Sequence, residues 1–487
     1  MAQQPPRPPS LFDAGGFGGP TRGLWGRPQD SEQLSPDDLS NISSRPQTQT
    51  RMQQSSDGWS NVSSGPQNKN QNQQSSDGWS NLSSRSEEKD WAAALADSPK
   101  ARADTFKAVI TRKVIEIPRV KLLAARGIPE EYRASYWAVL LKYLPKDRDT
   151  WPAVRAGMQE KYNVFVKEFP VENAKDFPEA KEVLRRIDMD IPRTMPSLHF
   201  FASHEGNASF GDDILLSGNV VHLSPRQLAL RRVLYVFCRL NPGLGYVQGM
   251  NELVAHLFYP FTHMCTDPTE PEAMAFHTFQ SLMTHLGDNF CRALDKEKGT
   301  GVGSTMRVFQ ALVATADPFL YRHLHTLGVM PEFYAFRWIT LFMSQEFQVP
   351  DVLRIWDYLF SDLENVRCMV YYVAVAMLTI LKDMLASQSF GEVIMTLQQY
   401  PPEIDVDAII RVAEHEIRPA LSIELVEYLH EHEDACKAAM DTAIRLGSTP
   451  PSLRDSLIEK KEALLKEAPK LLKEGMDSLQ KWLKKKT

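Results

Sequence analysis

Two short stretches of the sequence carry side chains whose type and setting could do chemistry. The first, 190-DIPRTMP-196, holds one arginine, Arg193, between Pro192 and Thr194, with the Asp190 carboxylate three residues earlier. Arginine offers a planar, permanently charged fork of N–H donors that matches carboxylate and phosphate oxygens. A helix is expected from near Pro178 toward Ile187. Pro192 disfavours the α conformation for Ile191, so that helix should end there and leave Arg193 on an extended turn. Two readings stand at this point: an ordinary pair with Asp190 or a helix cap, or a cation projected outward from a rigid scaffold. The second stretch, 245-GYVQGMN-251, places Gln248 between Gly245 and Gly249, ahead of an apolar helix through Leu253, Val254 and Leu257. A glutamine between glycines lets another backbone come close. It could equally do no more than cap the helix.

Other chemistries lack their residue patterns. The sequence contains no G-x-x-x-x-G-K-[ST] phosphate loop, no H-E-x-x-H and no G-x-S-x-G. The glycines of 299-GTGVGS-304 have no following lysine and no preceding apolar strand, so they read as a loop. The segment 430-HEHEDAC-436 spaces His430 with Glu433, and His432 with Cys436, at helical intervals that could gather metal ligands. No second half-site accompanies it, and a solvated helix face is the expectation. No metal and no cofactor of the protein's own are expected.

The elements that must position these residues read as helical. In 224-SPRQLALRRVLYVFCRL-240, Ser224 is a predicted N-cap, Pro225 the first helical residue, and Leu230, Val233, Leu234 and Phe237 an apolar face that stops at 241-NPG-243. Similar patterns recur from about residue 90 to about 440, and no segment reads as a strand, so the globular part is expected to be all-α. The most apolar run, 368-CMVYYVAVAMLTIL-381, falls short of the roughly 18 to 20 residues of a membrane span and is expected to be a buried core helix.

Composition narrows the function classes. The chain of 487 residues has 55 basic and 61 acidic side chains and a formal net charge of −6, where nucleic-acid binding ordinarily shows as a basic excess. Cys238, Cys265, Cys291, Cys368 and Cys436 form no C-x-x-C pair and read as buried thiols of a reducing compartment. The beginning MAQQPPRPPSLFDAGG has no secretory pattern, so the sequons at Asn41, Asn61, Asn81 and Asn207 are read as chance and the expected location is cytoplasmic.

Residues 1–88 are rich in Ser, Gln, Asn and Pro, with too few large apolar side chains to offset the entropy of ordering, and are expected to be disordered. Within them 40-SNISS-44, 60-SNVSS-64 and 80-SNLSS-84 recur, too thin in apolar residues to stack as a solenoid and better read as a short linear motif or duplication drift. Residues 89–125 form a lead-in and 416–487 a C-terminal helical region with a basic tail. In that tail Pro469 should kink or split the amphipathic stretch, and Trp482 beside Lys484, Lys485 and Lys486 offers peripheral contact with an anionic membrane. A solvated helix is the plainer expectation for the tail.

Taken together and in order, the motifs resemble the TBC domain of Rab GTPase-activating proteins over about residues 126–415. The residues that carry the resemblance are 127-GIPEEYRASYWAVLL-141, the arginine-finger motif I-x-x-D-x-x-R as 187-IDMDIPR-193, the glutamine-finger motif as 246-YVQGM-250, and then 337-RWITLFMSQEF-347 and 352-VLRIWDYLF-360. Neither finger departs from the family pattern. The resemblance implies packed helices in two subdomains and, as partner, a GTP-bound Rab-family GTPase that brings its own Mg²⁺. It implies an activator without substrate turnover of its own, acting in vesicle trafficking, with endomembranes as a peripheral location. By resemblance Arg193 stabilises developing phosphoryl charge and Gln248 positions water. Asp190, Thr194, Tyr246 and Gly249 support them, while Gly127, Ile128, Pro129, Arg133, Trp137, Arg337, Trp338, Trp356 and Asp357 are architectural. The alternative is a non-catalytic Rab-binding or scaffold module. The particular Rab and the oligomeric state are not written in the motifs.

Overall fold

The computed structural model describes residues 99–447, apart from 197, 203–212, 217, 266 and 291–300. The expectations for residues 1–88 and their repeats, for the segment 451–487, for Asn207 and for Cys291 lie outside the described residues.

The described chain is helical, as its apolar periodicity requires. The first half runs α1 (Pro99–Ile110), α2 (Ile117–Ala125), α3 (Glu130–Leu140), α4 (Trp151–Glu168) and α5 (Pro178–Asp190). After a hairpin of β1 (Asp213–Leu216) and β2 (Asn219–His222) come α6 (Pro225–Leu240), α7 (Met250–Thr262) and α8 (Glu270–Phe290). The second half is α9 (Gly301–Ala316), α10 (Pro318–Leu327), α11 (Ala335–Thr340), α12 (Val349–Phe360), α13 (Val366–Leu385) and α14 (Phe390–Gln398), followed by α15 (Val406–Val412), α16 (Ile423–Glu431) and α17 (Glu433–Gly447).

The local signals mostly act as written. Ser224 accepts from the Gln227 backbone N–H while the Gln227 side chain accepts from the Ser224 N–H, a capping box that starts α6 with Pro225 at its first position. The apolar run 368–381 lies within α13. This helix is long and apolar enough to cross a membrane, yet Tyr371, Tyr372, Ala374 and Met377 on several of its faces are buried in protein. It is the expected core helix.

Three local expectations are corrected. The hairpin is absent from the sequence reading: β1 and β2 pair antiparallel, Ile214 opposite Val221 and Leu215 opposite Val220, around a turn at Gly218 with φ +86°. Its four-residue strands are too short for alternation to show. Gly301 to Ser304 form the first turn of α9, where a loop was expected, because Ser304 and Thr305 are buried against the core. His430 and His432 do not share a helix with Glu433 and Cys436, since α16 ends at Glu431. Instead the His430 Nε2 lies 3.1 Å from the Tyr371 hydroxyl, and the buried Cys436 thiol donates to the Leu429 carbonyl.

In the first half α8 packs on α4, α6 and α7, and α5 packs on α6. In the second half α9 packs on α10, α13, α16 and α17. The two halves are joined by α8 against α9 and α13, and by α12, which meets α2 and α3 on one side and α13 and α15 on the other. Helix α12 can do this because Val352, Ile355, Trp356, Leu359 and Phe360 are all buried, and each such apolar side chain contributes roughly 1.5–3 kcal/mol of transfer free energy. The core takes in Phe106 and Val120 before residue 126, and Val426 and Leu429 after residue 415. Cys238, Cys368 and Cys436 are buried free thiols and Cys265 is half-buried; burial pushes the Cys238 and Cys368 thiols up to about 12.

Candidate functional site

Helix α5 is fixed against α6 by a two-pronged bridge, Arg231 Nε to Asp188 Oδ1 at 2.6 Å and Nη2 to Oδ2 at 3.0 Å, and by Ile187, fully buried at its end. The α-helix ends at Asp190, where the proline was expected to stop it. Ile191, in place of an extended conformation, has φ −56° and ψ −47°, and Ile191–Arg193 close a 3₁₀ turn before Thr194 extends. The proline bias is overridden because Ile191 is wholly buried and the Thr194 hydroxyl donates to the Asp190 carbonyl at 2.9 Å, satisfying one of the acceptors left open at the helix end. Arg193 therefore sits on a tightened helix end.

The glutamine stretch is held by glycine conformations. Gly245 and Gly249 have φ of +61° and +101°, and Gly249 is the N-cap of α7. A Cβ on Gly249 would lie 2.4 Å from Leu341 Cδ2, so the loop sits directly against the chain after α11. Val247 is half-buried and Tyr246 buried, whereas Gln248 is exposed. It does not cap the helix through its side chain.

The two stretches meet. The buried Asp190 carboxylate accepts from Arg193 at Oδ1, through Nε at 3.1 Å and through Nη2, and from the Tyr246 hydroxyl at Oδ2 at 2.6 Å. Burial, with the neighbouring Asp190 charge, raises the Tyr246 hydroxyl well above its ordinary value, so it stays a donor. Asn251 completes the brace: its Nδ2 donates to the Thr194 hydroxyl at 2.9 Å and its Oδ1 accepts from the Gly249 N–H at 3.1 Å. The Arg186 guanidinium lies 5.9 Å from the Tyr246 ring centroid. Asp190, Thr194, Tyr246, Gly249 and Asn251 thus form one buried unit. From it the Arg193 side chain emerges 39% exposed on one turn, and Gln248 is exposed on the other.

Asn251 and its neighbour Glu252 were not singled out by sequence reasoning. Their signal was available: two polar residues open an otherwise apolar helix, and both are buried.

Several of the residues read as architectural gather at a second carboxylate, and Arg337 and Trp338 lie at a third. Asp357, fully buried on α12, accepts from the Ile128 N–H at 2.8 Å, from Arg133 Nε at 3.1 Å and Nη2 at 3.2 Å, and from Trp137 Nε1 at 2.8 Å. Gly127 has φ +89° and Pro129 precedes the first residue of α3, which aims the Ile128 N–H at the carboxylate. Trp137 stacks on Trp356 with centroids 5.9 Å apart. Arg337 grips the buried Glu346 at 2.7 and 2.5 Å beside the buried Trp338. An open cleft of about 870 Å³, lined by residues including Trp151, Arg155 and Glu270, shares no residue with the paired turns.

This arrangement defines a class: a helical domain that presents an arginine and a glutamine from cross-braced turns at its surface. Residues 222–386 match the Rab-GTPase-TBC domain. TBC1 domain family member 13 of Homo sapiens is 29% identical, over 62% of this chain and 94% of the relative. The GTPase-activating protein gyp1 of Schizosaccharomyces pombe is 25% identical, over 62% of this chain and 57% of that protein. The crystal structure of the Ypt/Rab-GAP domain of Gyp1p shares the fold, with a TM-score of 0.53 at 22% identity over 69% of this chain and 99% of that chain. The chain thus carries a Rab-GTPase-TBC domain and is similar, in sequence and in fold, to TBC-domain proteins. The matched residues contain Gln248, Trp338 and Asp357; Arg193 precedes them and is tied to them by the Asp190–Tyr246 and Thr194–Asn251 hydrogen bonds.

Proposed function

We propose that this protein accelerates GTP hydrolysis by a Rab-type small GTPase, with Arg193 stabilising the transition state and Gln248 orienting the attacking water. The observation that carries the reading is the cross-brace through Asp190, Tyr246, Thr194 and Asn251, which fixes both turns while the Arg193 and Gln248 side chains stand at the surface. In the reaction, water adds to the γ-phosphorus, the bond to the β–γ bridging oxygen breaks, and GDP and phosphate leave with the water's protons passed to phosphate oxygens. Negative charge on those oxygens is what an inserted guanidinium stabilises, an effect of about 10³–10⁵ in rate for arginine fingers, or roughly 4–7 kcal/mol of barrier. The Gln248 amide can accept from the water and donate to a neighbouring oxygen. Asp190 keeps Arg193 aligned until the phosphate replaces it.

The partner in this reading is GTP-bound Rab, with its own Mg²⁺, on the cytoplasmic face of a trafficking membrane. The protein turns over no substrate of its own. Single-turnover phosphate release from a panel of GTP-loaded Rabs tests it: Arg193→Ala should lose most of the acceleration, about 10³-fold or more, and Gln248→Ala should also be severe. Arg193→Lys keeps a charge beside Asp190 and guards against a folding defect; it should remain strongly impaired because the two-pronged fork is gone. Full activity in both Arg193 variants would sink the reading. Tight GTP-dependent binding without faster hydrolysis, across the panel, would turn it into a sequestering module.

A further inference from the structure

We propose that Leu341 is a positioning residue for the glutamine turn, and that the strained bend ending α11 serves to seat it against Gly249. The inference rests on the reading of Gln248 as the residue that orients water. A Cβ on Gly249 would find Leu341 Cδ2, Cδ1 and Cγ at 2.4, 3.1 and 3.3 Å, so the isobutyl group lies flush against the residue that follows Gln248. Leu341 is itself buried. Gly249 is also held through its N–H, which donates to Asn251 Oδ1 at 3.1 Å. Two contacts of different kinds therefore fix the main chain next to Gln248: a hydrogen bond within the first turn of α7, and an apolar stop supplied by the second half of the domain.

The backbone that delivers Leu341 sets it apart from an ordinary core leucine. Helix α11 ends in the manner of a Schellman motif, with Leu341 as the C-cap and the Met343 N–H donating to the Trp338 carbonyl at 2.9 Å. The position after the cap is left-handed, and glycine is the usual residue there. Here it is Phe342, at φ +53°, and Met343 follows at φ +56°. Two successive left-handed residues that carry side chains are strained, and they persist only where the surroundings fix them. Phe342 and Met343 are wholly buried, and Trp356 of α12 donates from Nε1 to the Phe342 carbonyl at 2.9 Å. The Arg337–Glu346 bridge closes the same loop across its ends. The segments 337-RWITLFMSQEF-347 and 352-VLRIWDYLF-360 thus converge on this bend. A glycine after the cap would end α11 without strain; the bend held in this form sets where Leu341 lies, and through Gly249 where Gln248 stands.

The test measures stimulated hydrolysis against activator concentration, using the full-length protein and the GTP-loaded Rab that it activates most. Leu341→Ala opens a gap against Gly249 and should lower the maximal rate about 10- to 100-fold, the penalty of misplacing a reacting group by about 1 Å, with half-saturation unchanged. Leu341→Met conserves the volume and should retain most of the rate. Coupling to Gly249 separates positioning from plain core packing. Gly249→Ala alone pushes the loop off Leu341, and adding Leu341→Ala makes room for the new Cβ, so the double variant should be about 5-fold or more faster than the product of the two single losses. If Leu341→Ala does not fold, Leu341→Val, which withdraws the methyl groups by one methylene, should show a smaller loss of maximal rate and the same coupling. An unmodified maximal rate in the Ala or Val variant overturns the proposal, as does a Met variant as impaired as Ala, or losses that simply multiply in the double variant. Gln248→Ala in the same assay separates the causes: if it is inactive while the Leu341 variants are normal, only the positioning role fails, and if it is fully active the glutamine reading falls and this role with it.

Discussion

Two ion pairs of the domain are built alike and used in opposite ways. Asp357 with Arg133 and Asp190 with Arg193 are both aspartate–arginine pairs beside an aromatic donor, Trp137 in one and Tyr246 in the other. At Asp357 the arginine is enclosed, its side chain 12% exposed, and its Nη2 also donates to the Ile128 carbonyl. At Asp190 the carboxylate is also buried but the arginine side chain is 39% exposed, and among the described residues Asp190 is the one carboxylate bonded to it. A pair whose acid and base are both enclosed can only hold the fold together. A pair whose acid is fixed and whose base is half free can hand that base to something else.

The sharpest way to break this contrast is to remove each acid. Asp357→Ala leaves Arg133 enclosed without its counter-ion and the Ile128 N–H and Trp137 Nε1 without partners, and should cost about 3–5 kcal/mol in urea unfolding. Asp190→Ala leaves the Tyr246 hydroxyl only its longer contact with Asn251 Oδ1 at 3.1 Å and lets Arg193 turn to solvent, so about 1–3 kcal/mol is expected, together with a large loss of stimulated hydrolysis. Equal stability losses in the two variants would show that the pairs do not differ as described.

Gly249→Ala probes the loop between them with a smaller effect. A φ of +101° is costly for alanine, and its Cβ would press on Leu341, so about 1–3 kcal/mol of destabilisation is expected, with activity reduced through Gln248. An unchanged melting temperature would mean that the loop relaxes freely and does not fix the glutamine.

The legible and illegible parts of the site divide along the same physical line. The capping box at Ser224 and Gln227, the apolar run of α13 and the glycines around Gln248 are local signals, and each could be read from neighbours in sequence. The Pro192 rule was equally local, and it failed because burial of Ile191 and the Thr194–Asp190 bond outweigh a steric bias. Asn251 acts on Thr194, 57 positions away, and no spacing rule reaches that far. The hairpin was hidden by its length. Its pairing is decided by what the strands rest on, with Ile214 inward and Leu215 outward.

The smallest predicted effect concerns pH, and it separates Glu252 from its neighbour His256 one turn along α7. The His256 ring is buried, Nδ1 lies 2.8 Å from the Glu252 carbonyl, and burial holds the imidazole down to about 4. A depressed histidine contributes stability that is present above its unfolded value near 6.5 and is lost as pH falls toward about 4. Glu252 has the opposite sign: raised to about 7, it contributes most below its unfolded value near 4.5, and that contribution is lost as pH rises through about 7. Between pH 4.5 and 6.5 the two groups oppose each other, which should flatten the dependence of melting temperature on pH. Glu252→Gln removes one side of the balance. Relative to the unmodified protein, the variant should be most favoured near pH 8, where the native carboxylate is ionised in its buried setting beside Asp190, and the difference should shrink toward pH 5. A difference that stays constant from pH 5 to 8 would mean that Glu252 does not titrate in the folded protein, and that the Met195 N–H and Arg193 outweigh its burial.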